Sequence, residues 1–176
     1  MKKGLIHIYT GDGKGKTTAA MGLAIRAAGC GFEVRIFQFC KSMQTGEINS
    51  LSKLDRITFK RDGCEIKKFS WQRTPEENEM WNQAQQTLFD DACEAACDPD
   101  CDMVIMDELL GAVHAGAIDV SQVKYLMGHK YKGTELVMTG RNAPQALVEL
   151  ADYVTEMTCV KHPYQQGIDA RRGVEM

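Results

Sequence analysis

Apolar and polar positions along the chain fall into short blocks of period two and longer blocks of helical period. Leu5–Tyr9 alternates as a strand does, and Val34–Phe39, Ile57–Arg61, Met103–Met106, Glu135–Thr139 and Tyr153–Val160 are further runs of strand length. Between them, Ala19–Ala28 is rich in Ala, Leu, Met and Ile and reads as a helix, and Glu47–Leu54 reads as a short one. Thr74-Pro75-Glu76-Glu77 is a helix start, with Thr as N-cap, Pro in the first turn and Glu closing a capping box. That helix is expected to run to Cys97 with Met80, Ala84, Leu88 and Ala92 on its apolar face, stopped by Asp98-Pro99-Asp100. Asp119–Gln122 is a second capping box, opening a helix that Gly128 should end, and Asn142 is read as the cap of a last helix through Leu150. Strands alternating with helices, without repeats or linkers, predict an α/β fold: a doubly wound, mostly parallel sheet in one domain spanning 1–176.

Composition narrows the class. Apolar residues at 44% and charged residues at 26% describe a globular chain. A net charge of −3 argues against a broad nucleic-acid or membrane surface, and no apolar run reaches the length of a membrane span. Met1-Lys2-Lys3 is basic but no apolar leader follows it, so a cytoplasmic protein is expected. Seven cysteines are then expected as free thiols. Cys93, Cys97 and Cys101 fall four apart, yet no C-x-x-C pair occurs and Pro99 interrupts the spacing; small core residues are expected there rather than metal ligands.

The chemistry concentrates in Thr10-Gly11-Asp12-Gly13-Lys14-Gly15-Lys16-Thr17-Thr18, which lies between the first strand and the first helix. Strand, glycine-rich turn, then helix opening on Gly-Lys-Thr is the setting of a phosphate-binding loop. Glycines let successive N–H groups converge on anionic oxygens, and the helix N-terminus adds further donors. Lys16 would bring a charge to the phosphates and Thr17 a hydroxyl to Mg²⁺. The strict motif has glycine where Thr10 stands, which marks a variant loop. Asp107 and Glu108 close the run Met103–Met106 at a strand's C-terminal end, the edge where open α/β sheets place ligand chemistry. Arg141 arrives after the next strand, either as a phosphate clamp or as a surface ion pair. Phe69 and Trp71, two residues apart in a segment without clear period, either pin that segment to the core or meet a flat ligand.

Taken together, YTGDGKGKTTAA (9–20), QF (38–39), F-S-W (69–71), VIMDEL (104–109), TGR (139–141) and VKH (160–162) resemble the ATP:corrinoid adenosyltransferases with a phosphate-binding loop. The resemblance runs in order through nearly the whole chain and includes Thr10. It implies a P-loop, RecA-like three-layer sandwich. It also implies transfer of the 5′-deoxyadenosyl group of ATP to cobalt(I) of a reduced corrinoid, with release of triphosphate. On that reading residues Gly11, Asp12, Gly13, Lys14, Gly15, Lys16, Thr17 and Thr18 hold the phosphates. Thr17 and Glu108, with Asp107 beside it, face Mg²⁺; Lys16, Glu108 and Arg141 act on the reacting groups. Phe69 and Trp71 then shield the lower face of the corrinoid, so that cobalt loses its axial ligand and is more easily reduced. A flavin-type reductase and a homodimer are implied as well. Several relatives carry an N-terminal extension over the site, so closure here is expected from other loops or a partner subunit. Two other classes remain: a P-loop phosphotransferase or ATPase such as a nucleoside kinase, which would make ADP, and a non-catalytic nucleotide-binding module.

Overall fold

The computed structural model describes residues 3–41, 45–64, 66, 68 and 70–174. Six strands form one sheet: β1 (Ile6–Thr10), β2 (Val34–Gln38), β3 (Ile57–Arg61), β4 (Met103–Asp107), β5 (Glu135–Thr139) and β6 (Tyr153–Glu156). Every pairing is parallel, in the order β3-β2-β4-β5-β1-β6. The helices are α1 (Lys16–Gly29), α2 (Gly46–Leu51), α3 (Pro75–Cys97), α4 (Leu109–His114), α5 (Val120–His129) and α6 (Gln145–Val148).

Connections that step one way across the sheet, β1 to β2 and β2 to β3, carry α1 and α2, which pack on one face with Val34, Ile36, Ile105 and Val137. Those that step the other way carry α3 to α6, which pack on the opposite face with Ile8, Val104, Met106, Leu136 and Met138. A constant crossover handedness requires that segregation, and it yields a three-layer α/β sandwich. Because β4 is covered on both faces, all five of its residues are buried, and Asp107 goes into the interior with them.

The long helix α3 starts as the capping box dictates: Glu77 N–H donates to Thr74 Oγ1 (3.2 Å) and Thr74 N–H to Glu77 Oε2 (2.9 Å). Its buried stripe, however, is Trp81, Gln85, Leu88 and Ala92, and Met80 is exposed. The larger indole sets the phase, with the Arg73 guanidinium over its ring at 4.2 Å. α5 opens on the Asp119 box as expected and runs past Gly128 to His129. The start of α6 differs from expectation. Asn142 is left-handed (φ 53°) and the helix begins only after Pro144, because a residue preceding proline is pushed away from the helical region. β6 ends at Glu156, short of the expected Val160, and α4 was not expected. All seven thiols are free, yet of the spaced trio only Cys101 is buried; Cys93 is half-buried and Cys97 exposed.

Candidate active site

The loop after β1 is built around two glycines with no room for a side chain. An ideal Cβ on Gly11 or on Gly13 would stand 2.5 Å from the Met157 carbonyl oxygen, and Gly13 N–H donates to that same oxygen (2.6 Å). Gly15 (φ 118°) then reverses the chain as the N-cap of α1, and the first helical bond runs from Ala19 N–H to Gly15 O. The amides of Lys16, Thr17 and Thr18 precede it, so they face the loop as helix N-terminal donors. Thr10, which replaces a glycine of the strict motif, remains the last residue of β1, and its Oγ1 accepts from Ala143 N–H (3.3 Å). The variant position thus ties the loop to the turn after β5.

Lys16 folds over this loop, its Nζ donating to the carbonyl oxygens of Gly11 (2.6 Å) and Gly13 (2.8 Å). Burial, with the Arg141 guanidinium beside it, holds its ammonium below the usual lysine range. Arg141 reaches the loop at an exposed pairing of 3.9 Å to Asp12 Oδ1, too open to contribute much stability. Two cations drawn to one glycine-rich loop at a helix N-terminus make an electropositive mouth suited to a polyanion.

Beneath it sits Asp107, fully buried at the end of β4. Its Oδ1 accepts from Thr17 Oγ1 (2.8 Å) and Thr139 Oγ1 (2.7 Å), and its Oδ2 from Gln38 Nε2 (2.9 Å) and Lys41 Nζ (2.7 Å). Burial alone would raise this carboxyl; the Lys41 ammonium and the hydrogen bonds outweigh it and hold Asp107 below the usual carboxylate range. Glu108 turns out of the strand in the left-handed region (φ 61°), its N–H donating to Thr139 Oγ1 (2.9 Å). Its carboxylate lies over Gly111, where an ideal Cβ would be 2.9 Å from Oε1. Burial, reinforced by the Asp107 charge, pushes Glu108 up.

The structure therefore brings residues 11–18, Asp107, Glu108 and Arg141 to one edge of the sheet. Trp71 lies in a single 3-10 turn (Ser70–Gln72) with 77% of its surface exposed; Phe69 lies outside the described residues. Among the described residues no group of three or more His, Cys, Asp or Glu is arranged to hold a metal, and no helix is long and apolar enough to cross a membrane.

A family model described as ATP:corrinoid adenosyltransferase BtuR/CobO/CobP matches residues 2–176. The chain belongs to the ATP:corrinoid adenosyltransferase family. Curated members include corrinoid adenosyltransferases of a Sinorhizobium species, 36% identical with 99% of this chain and 81% of that protein aligned, and of Pseudomonas aeruginosa, 31% identical over 99% and 84%. That of Escherichia coli K12 is likewise 31% identical, over 99% of this chain and 86% of its own length.

Three residues that hold Asp107 in this adenosyltransferase site (Gln38, Thr139 and Lys41) were given no role from the sequence, although Gln38 and Thr139 fall in the motifs that carry the resemblance. Gln38 and Thr139 each had a signal, a polar side chain ending an otherwise apolar strand at the functional edge. Lys41, in the segment after β2, had none. A further neighbour, Cys40, is pushed up to about 12 by burial, by Glu108 and by Asp62, which keeps its thiol protonated at neutral pH.

Proposed function

We propose that the protein transfers the 5′-deoxyadenosyl group of ATP to the cobalt(I) of a reduced corrinoid. The cobalt electron pair attacks C5′ of the ribose, a cobalt–carbon bond forms, the C5′–oxygen bond breaks, and the electron pair leaves with triphosphate. No phosphoanhydride is cut, so the protein must grip three linked phosphates while charge grows at the departing end. The observation that carries this reading is the meeting of loop and acid, Thr17 Oγ1 on Asp107 Oδ1 at 2.8 Å, beneath the Lys16–Arg141 mouth in a member of this family.

In this reading the amides of residues 11–18 and the Lys16 ammonium hold the phosphates, and Arg141 clamps a phosphate or a corrin side chain. The donor set at the foot of the loop, a hydroxyl and two carboxylates, is hard oxygen chemistry and fits Mg²⁺. Thr17, Asp107 and Glu108 would hold it, directly or through water, and it would supply charge neutralisation of the triphosphate. Phe69 and Trp71 cover the lower corrin face, a flavin-type reductase delivers the electrons, and the working form is a homodimer.

The test is anaerobic incubation with ATP, Mg²⁺ and chemically reduced cobalamin. The reading expects the optical change of cobalt–carbon bond formation. ATP binding without that change, with reduced corrinoid present, contradicts it and favours a non-catalytic nucleotide-binding module.

A further inference from the structure

The Asp107 carboxylate has all four of its acceptor directions in use. Thr17 and Thr139 donate to one oxygen, Gln38 and Lys41 to the other. A cation that is to bind Thr17 and Asp107 must therefore displace a donor. Gln38 is fixed from its other end, since its Oε1 accepts from Arg61 Nε (2.9 Å) and Nη2 (2.5 Å). Thr139 is fixed likewise, its Oγ1 accepting from Glu108 N–H. Thr17 is itself one of the oxygens a metal would use. Lys41 is the remaining donor, and it sits on a long flexible stem.

Its position is specific. β2 and β4 pair with Gln38 opposite Asp107, and Phe39 N–H donates to the Asp107 carbonyl (2.9 Å). Cys40 then takes a left-handed conformation (φ 56°), held by its N–H donating to the buried Gln85 Oε1 (3.0 Å). This turn carries Lys41 back over the strand end. Its Nζ stands 2.7 Å from Asp107 Oδ2 and 3.3 Å from Thr17 Oγ1, with the side chain 23% exposed. The ammonium thus rests between the carboxylate and the hydroxyl that would receive a divalent cation.

We propose that Lys41 is the resident cation of the metal position, and that it makes metal entry depend on the nucleotide. A free divalent ion arriving alone must push a half-buried ammonium off its carboxylate and leave it beside a second positive charge. A nucleotide-bound ion brings phosphate oxygens that receive the released ammonium. Lys41 then joins Lys16 on the triphosphate, where charge accumulates as the C5′–oxygen bond breaks, and returns to Asp107 when the product leaves. The proposal rests on the Mg²⁺–triphosphate part of the function above, not on the corrinoid.

The probe is Mn²⁺, followed by electron paramagnetic resonance without ATP or corrinoid, so the outcome is independent of whether adenosyl transfer occurs. Removing a unit charge a few ångströms from the ion should strengthen Mn²⁺ binding by at least about tenfold in Lys41→Met relative to wild type. Lys41→Arg, which keeps the charge, should stay with wild type. The same Lys41→Met protein should bind ATP more weakly, a combination that simple misfolding would not produce. A second readout needs no variant: Mn²⁺ alone should leave the wild-type melting temperature unchanged, and Mn²⁺ with ATP should raise it. Equal Mn²⁺ affinity in wild type and Lys41→Met, or a wild type stabilised by Mn²⁺ alone, overturns the proposal.

Discussion

Single residues at this site do two jobs at once, and Thr139 is the clearest case. Its hydroxyl donates to Asp107 Oδ1 and accepts from Glu108 N–H, so one side chain orients both acids. Thr139→Val keeps the shape and leaves a buried amide and a carboxylate oxygen each short of a partner. That should cost about 1–3 kcal/mol in urea unfolding, the usual penalty for a stranded buried polar group. Asp107 itself makes a pH prediction. Its folded-state pKa is depressed, so its contribution is present above the unfolded carboxylate pKa and is lost as pH falls through the folded value. The stability gap between wild type and Asp107→Asn should therefore be widest near neutrality and close as the pH is lowered through about 4 and below. A gap independent of pH would mean that the carboxylate's charge is not what is being stabilised.

Elements were legible in the sequence to the extent that local physics decides them. The capping boxes at Thr74 and Asp119 are local, and both helices start where those residues place them. Thr74→Ala should cost about 1 kcal/mol, readable as a shifted denaturation midpoint at unchanged slope. The phase of α3 was not local: Met80 and Trp81 are both plausible core residues by sequence, and burial of the indole chose between them. Nor was α4 legible, because Leu109–His114 is too short to show a period and begins from a left-handed Glu108. Its presence explains Gly140, where φ is 141° and an ideal Cβ would meet Leu110 Cβ at 2.7 Å. Gly140→Ala should lower stability by about 1–3 kcal/mol through strain and overpacking. A neutral substitution would show that the α4–β5 approach is looser than described.

At the scale of the molecule, the sheet order does most of the organising. β1 delivers the loop, β4 the acids, β5 Thr139 and Arg141, and β2 Gln38 and Lys41, all to one edge, with β4 and β5 adjacent and β1 and β2 flanking them. Whereas the sequence left Arg141 between a phosphate clamp and a surface ion pair, the loop and the two acids could be read beforehand because their residue types are specific at that spacing. The four-donor cage around Asp107 could not, since it depends on which strands become neighbours, and Lys41 in sequence is indistinguishable from any solvated lysine. The aromatic pair belongs to the same scale because its proposed work is to couple reduction to transfer. Replacing Phe69 and Trp71 with Ala should spare adenosylation of chemically pre-reduced corrinoid and cripple the reaction when a flavin-type reductant must reduce cobalt. Equal losses in both assays would remove the shielding role.

The fate of the phosphates tests the central claim most directly. ATP carrying a radioactive γ-phosphate is turned over with reduced corrinoid and Mg²⁺, and the products are separated by anion exchange before any phosphatase can act. An intact labelled triphosphate, formed in equal amount to the adenosylated corrinoid, is the predicted result. Label released from the enzyme as orthophosphate, or ADP as the nucleotide product, would contradict it.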